Sequence, residues 1–174
     1  MEKQQLAERL KDVALLTGEF TLRSGRTSNY YFDKYLFETH PGLLRDVARE
    51  LAEMLPEDTD RLAGAELGGV PLAAAVALAT DLPYVIVRKE SKEYGTENRI
   101  EGVLQPGENV VLVEDVATTG GAALSAVEAL RAAGAGRVSA VVVLDRQEGA
   151  EENFRKAGVP FSALFTSETL GVET

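Results

Sequence analysis

The run Val110-Val-Leu-Val-Glu114-Asp115-Val116-Ala117-Thr118-Thr119-Gly120-Gly121-Ala122 limits what this chain can fold into more than any other segment. Four apolar residues running into a polar turn predict an interior parallel strand, and Leu124, Val127, Leu130 and Arg131 continue behind it at helical spacing. The turn therefore belongs at a strand's carboxyl end. There the backbone N–H groups of residues 117–121 have no intrahelical partner and the helix dipole favours an anion, so a phosphate fits without a lysine. Gly120 and Gly121 would let the backbone approach that anion, and the hydroxyls of Thr118 and Thr119 add donors. Glu114 and Asp115 would repel it. Their expected partners are hydroxyl groups, such as the 2′ and 3′ hydroxyls of a ribose, or a bridging metal ion. A plainer reading leaves Asp115 and Thr118 or Thr119 as helix caps of an ordinary α/β unit. No Gly-Lys-Ser/Thr occurs, and no Gly-x-Gly-x-x-Gly follows a strand, which removes the two other common phosphate motifs.

The rest of the chain repeats the same alternation. Leu6, Leu10, Val13, Leu15 and Leu16 predict an amphipathic helix ending near Gly18, and two strand-like runs follow at 19–23 and 29–33 with Ser24-Gly25-Arg26 as the turn. Pro41 opens a helix through Leu55 with Leu44, Val47, Ala48 and Leu51 on one face. Strands are then expected at 61–65, 84–88, 109–114, 137–144 and 161–165, and helices at 70–80, 119–133 and 148–157. Such alternation implies a parallel sheet with right-handed crossovers. Ligands of these sheets gather at the carboxyl ends of the strands, where the polar segments 66–69, 88–99, 114–121 and 145–147 fall.

Composition excludes several classes of function. A chain of 174 residues with 45% hydrophobic and 26% charged residues is long and apolar enough for one substantial core, and no stretch reaches membrane-spanning length. The absence of cysteine rules out disulfides and thiolate metal sites, and the amino terminus carries no secretory pattern, so a cytoplasmic location is expected. A net charge of −10 disfavours nonspecific contact with nucleic acid or an anionic membrane.

Between the strands at 84–88 and 109–114 lies a polar excursion from Lys89 to Gly102. A long insert without secondary structure in a compact domain is usually a working loop. Arg88, Lys89 and Lys92 precede Gly95, so the segment has the charge and the hinge of a lid over a polyanion. Glu90, Glu93 and Glu97 nearly neutralise it, which equally suits a solvated surface loop.

Arg88-Lys89-Glu-Ser-Lys92-Glu-Tyr94-Gly, the 114–121 segment, Leu144-Asp-Arg146-Gln-Glu148 and Phe20-Thr-Leu-Arg23-Ser-Gly-Arg-Thr-Ser-Asn-Tyr30-Tyr31-Phe32-Asp33 together resemble four ordered motifs of the orotate phosphoribosyltransferases. The resemblance implies an α/β fold of the type I phosphoribosyltransferase kind, an open parallel sheet flanked by helices, with residues 1–174 as one domain and 1–40 as a small hood. It implies a homodimer with shared sites that moves ribose 5-phosphate from 5-phosphoribosyl 1-pyrophosphate (PRPP) to orotate in pyrimidine formation. Glu114 and Asp115 would hold the ribose, and Val116, Ala117, Thr118, Thr119, Gly120, Gly121 and Ala122 would bind the 5′-phosphate. Arg88, Lys89, Lys92 and Tyr94 would meet pyrophosphate, while Thr118, Arg146 and Arg23 would meet orotate. Mg²⁺ would be held mainly by PRPP, and Lys92 and Asp115 carry the main catalytic expectation.

Certain residues depart from the commoner family pattern. Gly68 stands where many relatives carry a pyrophosphate-binding lysine, leaving that contact to backbone amides, and Tyr94 and Arg23 replace a histidine and a lysine. His40, the sole histidine, precedes Pro41 and is expected to cap a helix at the surface. Tyr30, Tyr31 and Phe32 would stack on a pyrimidine or pack the hood, with packing favoured for two of them. Two other functions stay open: transfer to another base, which Arg23 and Arg146 argue against, and a PRPP-sensing regulator, which the cations of the loop argue against.

Overall fold

A computed structural model describes residues 2–21, 25–90 and 99–172. The chain opens with α1 (Lys3–Ala14), whose apolar face buries Leu6, Ala7, Leu10 and Ala14. This helix stops at Ala14, short of the expected end near Gly18. The backbone of Leu15 and Leu16 is taken up by a ladder instead, because β1 (Leu15–Thr21) pairs antiparallel with β2 (Thr27–Phe32) and sets Leu15 opposite Phe32. A short helix that the sequence pattern did not predict, α2 (Lys34–Glu38), follows at once, its first turn capped by Asp33 through the Tyr35 N–H at 3.1 Å. Then comes α3 (Pro41–Glu53). Its cap is His40, whose Nδ1 accepts from the Leu43 N–H at 3.3 Å, so the sole histidine is an exposed capping group as expected.

The remainder alternates β3 (Arg61–Ala65), α4 (Gly69–Thr80), β4 (Tyr84–Val87), β5 (Ile100–Glu101), β6 (Val110–Ala117), α5 (Gly121–Ala132), β7 (Val138–Asp145), α6 (Ala150–Lys156) and β8 (Phe161–Thr166). The six-stranded sheet runs β5-β4-β3-β6-β7-β8 and is parallel except for β5, a two-residue antiparallel edge that falls inside the expected polar excursion. Helix α6 begins at Ala150, two residues later than expected, because Gly149 at φ +110° forms the cap.

Both faces of the sheet are covered. Val111 and Val113 of β6 face the cluster built by α1, α3 and α4, while Val110 and Leu112 face α5 and α6. Alternate residues thus enter two different cores, which is why β6 and β7 read as continuous apolar runs rather than as alternating ones. Burial of this kind stabilises by about 25 cal/mol per Å² of apolar surface, an upper estimate for a real unfolded chain.

The strand order determines where a ligand can sit. From β3 the chain crosses to β4 on one side, and from β6 it crosses to β7 on the other. The carboxyl ends of β3 and β6 therefore flank the switch point, where the two departing connections leave a crevice.

Candidate active site

At that crevice the turn after β3 meets the last residues of β6. Strand β6 runs to Ala117, three residues past the expected end at Glu114, because its pairing with β7 continues through Ala117 opposite Asp145. Glu114 and Asp115 therefore project from a strand rather than from the turn. Asp115 shares the sheet face of Val111 and Val113 and is 3% exposed. Its Oδ2 receives the ammonium of Lys34 at 2.7 Å, and its Oδ1 accepts from the Val116 N–H.

Two further carboxyls stand nearby. Glu38, at the end of α2, is 4% exposed, and neither of its oxygens has a hydrogen-bond partner among the described residues. Burial, reinforced by the charge of Asp115, raises its pKa to about 8. Glu114 is pushed to about 8 for the same two reasons in the same order. Burial alone would lower the Lys34 ammonium, but the hydrogen bond and charge of Asp115 more than offset this and raise it. At neutral pH the cluster therefore reduces largely to one ion pair, Lys34 with Asp115, flanked by two neutral acids.

The turn after β6 is open on one side and packed on the other. Thr118 and Thr119 are exposed, and Asn153 Nδ2 pins the turn by donating to the Thr119 carbonyl at 2.8 Å. The following helix starts at Gly121, so unpaired amides of α5 face the opening. Gly120 has φ +79°, and a Cβ there would lie 2.8 Å from the Phe154 ring. Packing against Phe154 and the positive φ both require that this position carry no side chain. At Gly121 a Cβ would meet only Thr119 Oγ1, at 3.8 Å, and both Gly121 and Ala122 are exposed.

Beside this turn a cleft of about 620 Å³ is lined by residues that include Tyr31, Phe32, Lys34, Thr118, Thr119 and Arg146. Arg146 follows β7 and is held on three sides. Its backbone N–H donates to Ala117 O at 2.9 Å, its Nη2 donates to the Tyr30 hydroxyl at 3.0 Å, and its Nε stands 3.1 Å from Glu148. The guanidinium also lies 4.9 Å from the Tyr30 ring centroid. Glu148 pairs with Arg26 as well. Tyr30 and Phe32 are buried, whereas Tyr31 is 42% exposed and offers its ring beside the cleft.

The polar excursion is fastened at its base. Val87 pairs with Ile100, the Arg88 N–H donates to Arg99 O at 2.7 Å, and Arg99 Nε donates back to Arg88 O at 3.1 Å. Glu66, in the turn after β3, accepts from the Lys89 N–H at 2.9 Å and stands 4.0 Å from the Arg88 guanidinium, which is also 3.8 Å from Glu101. Arg88 and Lys89 thus stand at the end of β4, outside the cleft lining. Lys92, Tyr94 and Arg23 lie outside the described residues.

The geometry brings Thr118, Thr119 and Arg146 together around one opening, with Asp115 buried behind Lys34 of its lining and Glu114 next to Asp115 on the same strand. Four participants escaped the sequence reading: Lys34, Glu38, Glu148 as a bridge between two arginines, and Tyr30 as the anchor of Arg146. The available signal was slight. Lys34 and Glu38, flanking the short apolar run Tyr35-Leu-Phe37, are the only mark that this segment carries a buried acid and a cation for Asp115.

Residues 37–160 match the phosphoribosyl transferase domain family. The orotate phosphoribosyltransferase of Natronomonas pharaonis is 52% identical over 171 residues, covering 98% of both chains. The chain belongs to the orotate phosphoribosyltransferase family. The Halobacterium salinarum member is 55% identical over 157 residues, covering 90% of this chain and 89% of its own. Among solved structures, the Mycobacterium tuberculosis orotate phosphoribosyltransferase in complex with PRPP superposes with a TM-score of 0.83 at 31% identity, covering 99% of this chain and all of that one. The fold is accordingly the type I phosphoribosyltransferase fold, an open, mostly parallel sheet between layers of helices. Membership in this family agrees with the four sequence motifs and their order.

Proposed function

We propose that the chain is an orotate phosphoribosyltransferase: it transfers ribose 5-phosphate from PRPP to N1 of orotate, giving orotidine 5′-monophosphate and pyrophosphate in pyrimidine synthesis. The observation that supports this reading is one cleft lined by the turn residues Thr118 and Thr119, by the tethered guanidinium of Arg146 and by Lys34, whose ammonium holds the buried carboxylate of Asp115. A ribose 5-phosphate needs the turn and the carboxylate, and an anionic base needs the guanidinium.

Asp115 and Glu114 accept the ribose hydroxyls, and Ala117 to Ala122 bind the 5′-phosphate with Val116 beneath them. Arg146, Thr118 and Arg23 receive orotate and its carboxylate, with Tyr31 beside the ring. Arg88, Lys89, Lys92 and Tyr94 stabilise the departing pyrophosphate. As the bond from C1 to pyrophosphate lengthens, positive charge grows on the ribose and negative charge on the leaving group. Fixed groups of opposite sign on the two sides lower that barrier. Orotate N1 is acidic enough that no strong general base is needed.

The described residues include no cluster of three or more His, Asp or Glu that could hold a metal ion, and the Asp115 carboxylate is engaged by Lys34. Mg²⁺ would enter mainly as its complex with PRPP. The chain acts as one domain with residues 1–40 as the hood, in the cytoplasm. Among the described residues no helix is long and apolar enough to cross a membrane. It works as a homodimer in which Lys92 serves the partner's site, and the apolar groove between α3 and α4, lined by Leu44, Ala48, Ala75 and Leu78, supports a covered face there.

A panel of orotate, uracil, adenine and hypoxanthine with PRPP and Mg²⁺, followed by pyrophosphate release, tests the assignment. Orotate should be used at least about 100-fold better than uracil, because uracil has no carboxylate to make the charge-assisted contact with Arg146. Efficient use of uracil or a purine would overturn it.

A further inference from the structure

Lys34 reaches the site from α2, and nothing in its own segment marks it as functional. Its side chain is 32% exposed, it lines the cleft, and its Nζ lies 2.7 Å from Asp115 Oδ2. The nearest loop leaves room for it. Gly68, in the turn after β3, carries no side chain, and a Cβ there would stand 1.7 Å from Asp115 Oδ2 and 3.1 Å from Glu38 Oε1. A cation for this carboxylate therefore comes from the hood side and not from position 68.

The other cations that line the cleft, Arg26 and Arg146, meet at Glu148, and Arg146 is further tied to the Tyr30 hydroxyl. Lys34 differs from them. Its one close ionic partner among the described residues is the carboxylate assigned to the ribose hydroxyls. When those hydroxyls donate to Asp115, they replace the hydrogen bond that the ammonium was making, and the ammonium needs a new acceptor. The substrate brings one. In PRPP the pyrophosphate is attached at C1, the carbon adjacent to the one bearing the 2′-hydroxyl. A cation touching the acceptor of that hydroxyl is within the swing of a lysine's four-carbon stem from the pyrophosphate oxygens.

We infer that Lys34 is a PRPP-binding residue whose ammonium passes from Asp115 to the pyrophosphate of the substrate when the ribose hydroxyls take over the Asp115 carboxylate. The inference rests on the ribose role of Asp115. It makes the hood helix α2 part of the leaving-group site. It also supplies a cation on the β3–β6 side of the crevice, where the turn at Gly68 has none. The neutral state of buried Glu38 supports this, since a second anion beside Asp115 would hold the ammonium back.

Calorimetric titration of two ligands separates the possibilities. PRPP and ribose 5-phosphate share the 5′-phosphate and the hydroxyls, and only PRPP carries pyrophosphate. Lys34→Met should weaken PRPP by about ten-fold or more, the scale of one charge-assisted hydrogen bond, while ribose 5-phosphate changes by less than about three-fold. Lys34→Arg, which keeps the charge, should retain most of the PRPP affinity. If Lys34→Met melts well below the parent, Lys34→Gln is titrated in its place. Equal losses for both ligands, or full PRPP affinity in the neutral variant, would overturn the role of Lys34. Asp115→Asn is titrated in parallel. Ribose 5-phosphate binding unchanged in that variant would overturn the ribose reading itself, independently of what Lys34 does.

Discussion

The Asp115 carboxylate occupies the space in which a side chain at Gly68 would begin, with Oδ2 only 1.7 Å from an ideal Cβ on that glycine. Gly68 is therefore bound to its identity by a residue on a neighbouring strand. Gly68→Ala should lower the melting temperature by several degrees, since overpacking a filled site costs about 1–3 kcal/mol, and should reduce kcat/KM for PRPP by about ten-fold or more. Adding Asp115→Ala should recover most of the stability and none of the activity. Additive losses in the thermal melts of the double variant would show that the two sites do not share this space.

Stability should depend on pH through the buried acids. Glu38 has an ordinary value of 4.5 and a folded value of about 8, so the folded protein keeps a proton that the unfolded chain releases. A raised folded pKa gives stability that is complete below about 4.5 and lost as pH rises through about 8. Urea midpoints should therefore fall between pH 5 and 8, and Glu38→Gln should flatten the fall, with Glu114 sustaining the remainder. An equal slope in parent and variant would refute the protonated state of Glu38.

The two glycines of the turn should separate fold from binding. Gly120→Ala forces a side chain onto a residue at φ +79° and against the Phe154 ring, so a loss of about 1–3 kcal/mol is expected. Gly121→Ala opens a helix and meets open space, so its stability should stay within about 1 kcal/mol of the parent while PRPP affinity falls. Chemical denaturation with PRPP titration reads both. The reverse pattern would mean that Gly120, not Gly121, faces the phosphate.

Recognition of orotate should pass through Tyr30. Tyr30→Phe removes the acceptor for Arg146 Nη2 and leaves the ring in place, so the orotate KM should rise by about ten-fold, as for other hydrogen bonds to charged groups. Arg146→Ala should cost more, and both should leave the PRPP KM within about two-fold. Steady-state kinetics with each substrate varied in turn will show it, and parallel changes in both KM values would remove the base-specific role.

The face around Leu78 gives the proposed dimer its own test. Leu78→Glu places a charge on an apolar surface of α4 and should shift sedimentation from dimer toward monomer, with activity falling alongside. A dimer of unchanged stability would move the interface elsewhere.

Much of this was readable in one dimension, for reasons that can be traced to particular residues. Arg61–Ala65 was predicted to the residue because a buried parallel strand leaves an unbroken small and apolar run bounded by polar turns. The strand at 110–117 was cut short because Glu114 and Asp115 look like a turn, and only pairing with β7 keeps them extended. The five-residue α2 is too short to show a helical period, and the two-residue β5 leaves no pattern at all. Lys34 and Glu38 were missed for another reason. Their roles depend on Asp115 and Gly68, which are distant in sequence, and a charge in a short apolar run looks the same whether it faces water or a buried carboxylate. The packing demand on Gly120 was missed because its contact with Phe154 exists only after α6 has packed.

The bridge that Glu148 forms between Arg26 and Arg146 turns an open cleft into one with an entry threshold. An incoming anion must do more than find a positive charge; it has to outbid a carboxylate already seated there. A molecule that offers a carboxylate together with further oxygen acceptors can replace several of the bonds Glu148 makes at once, whereas a single-point anion replaces one.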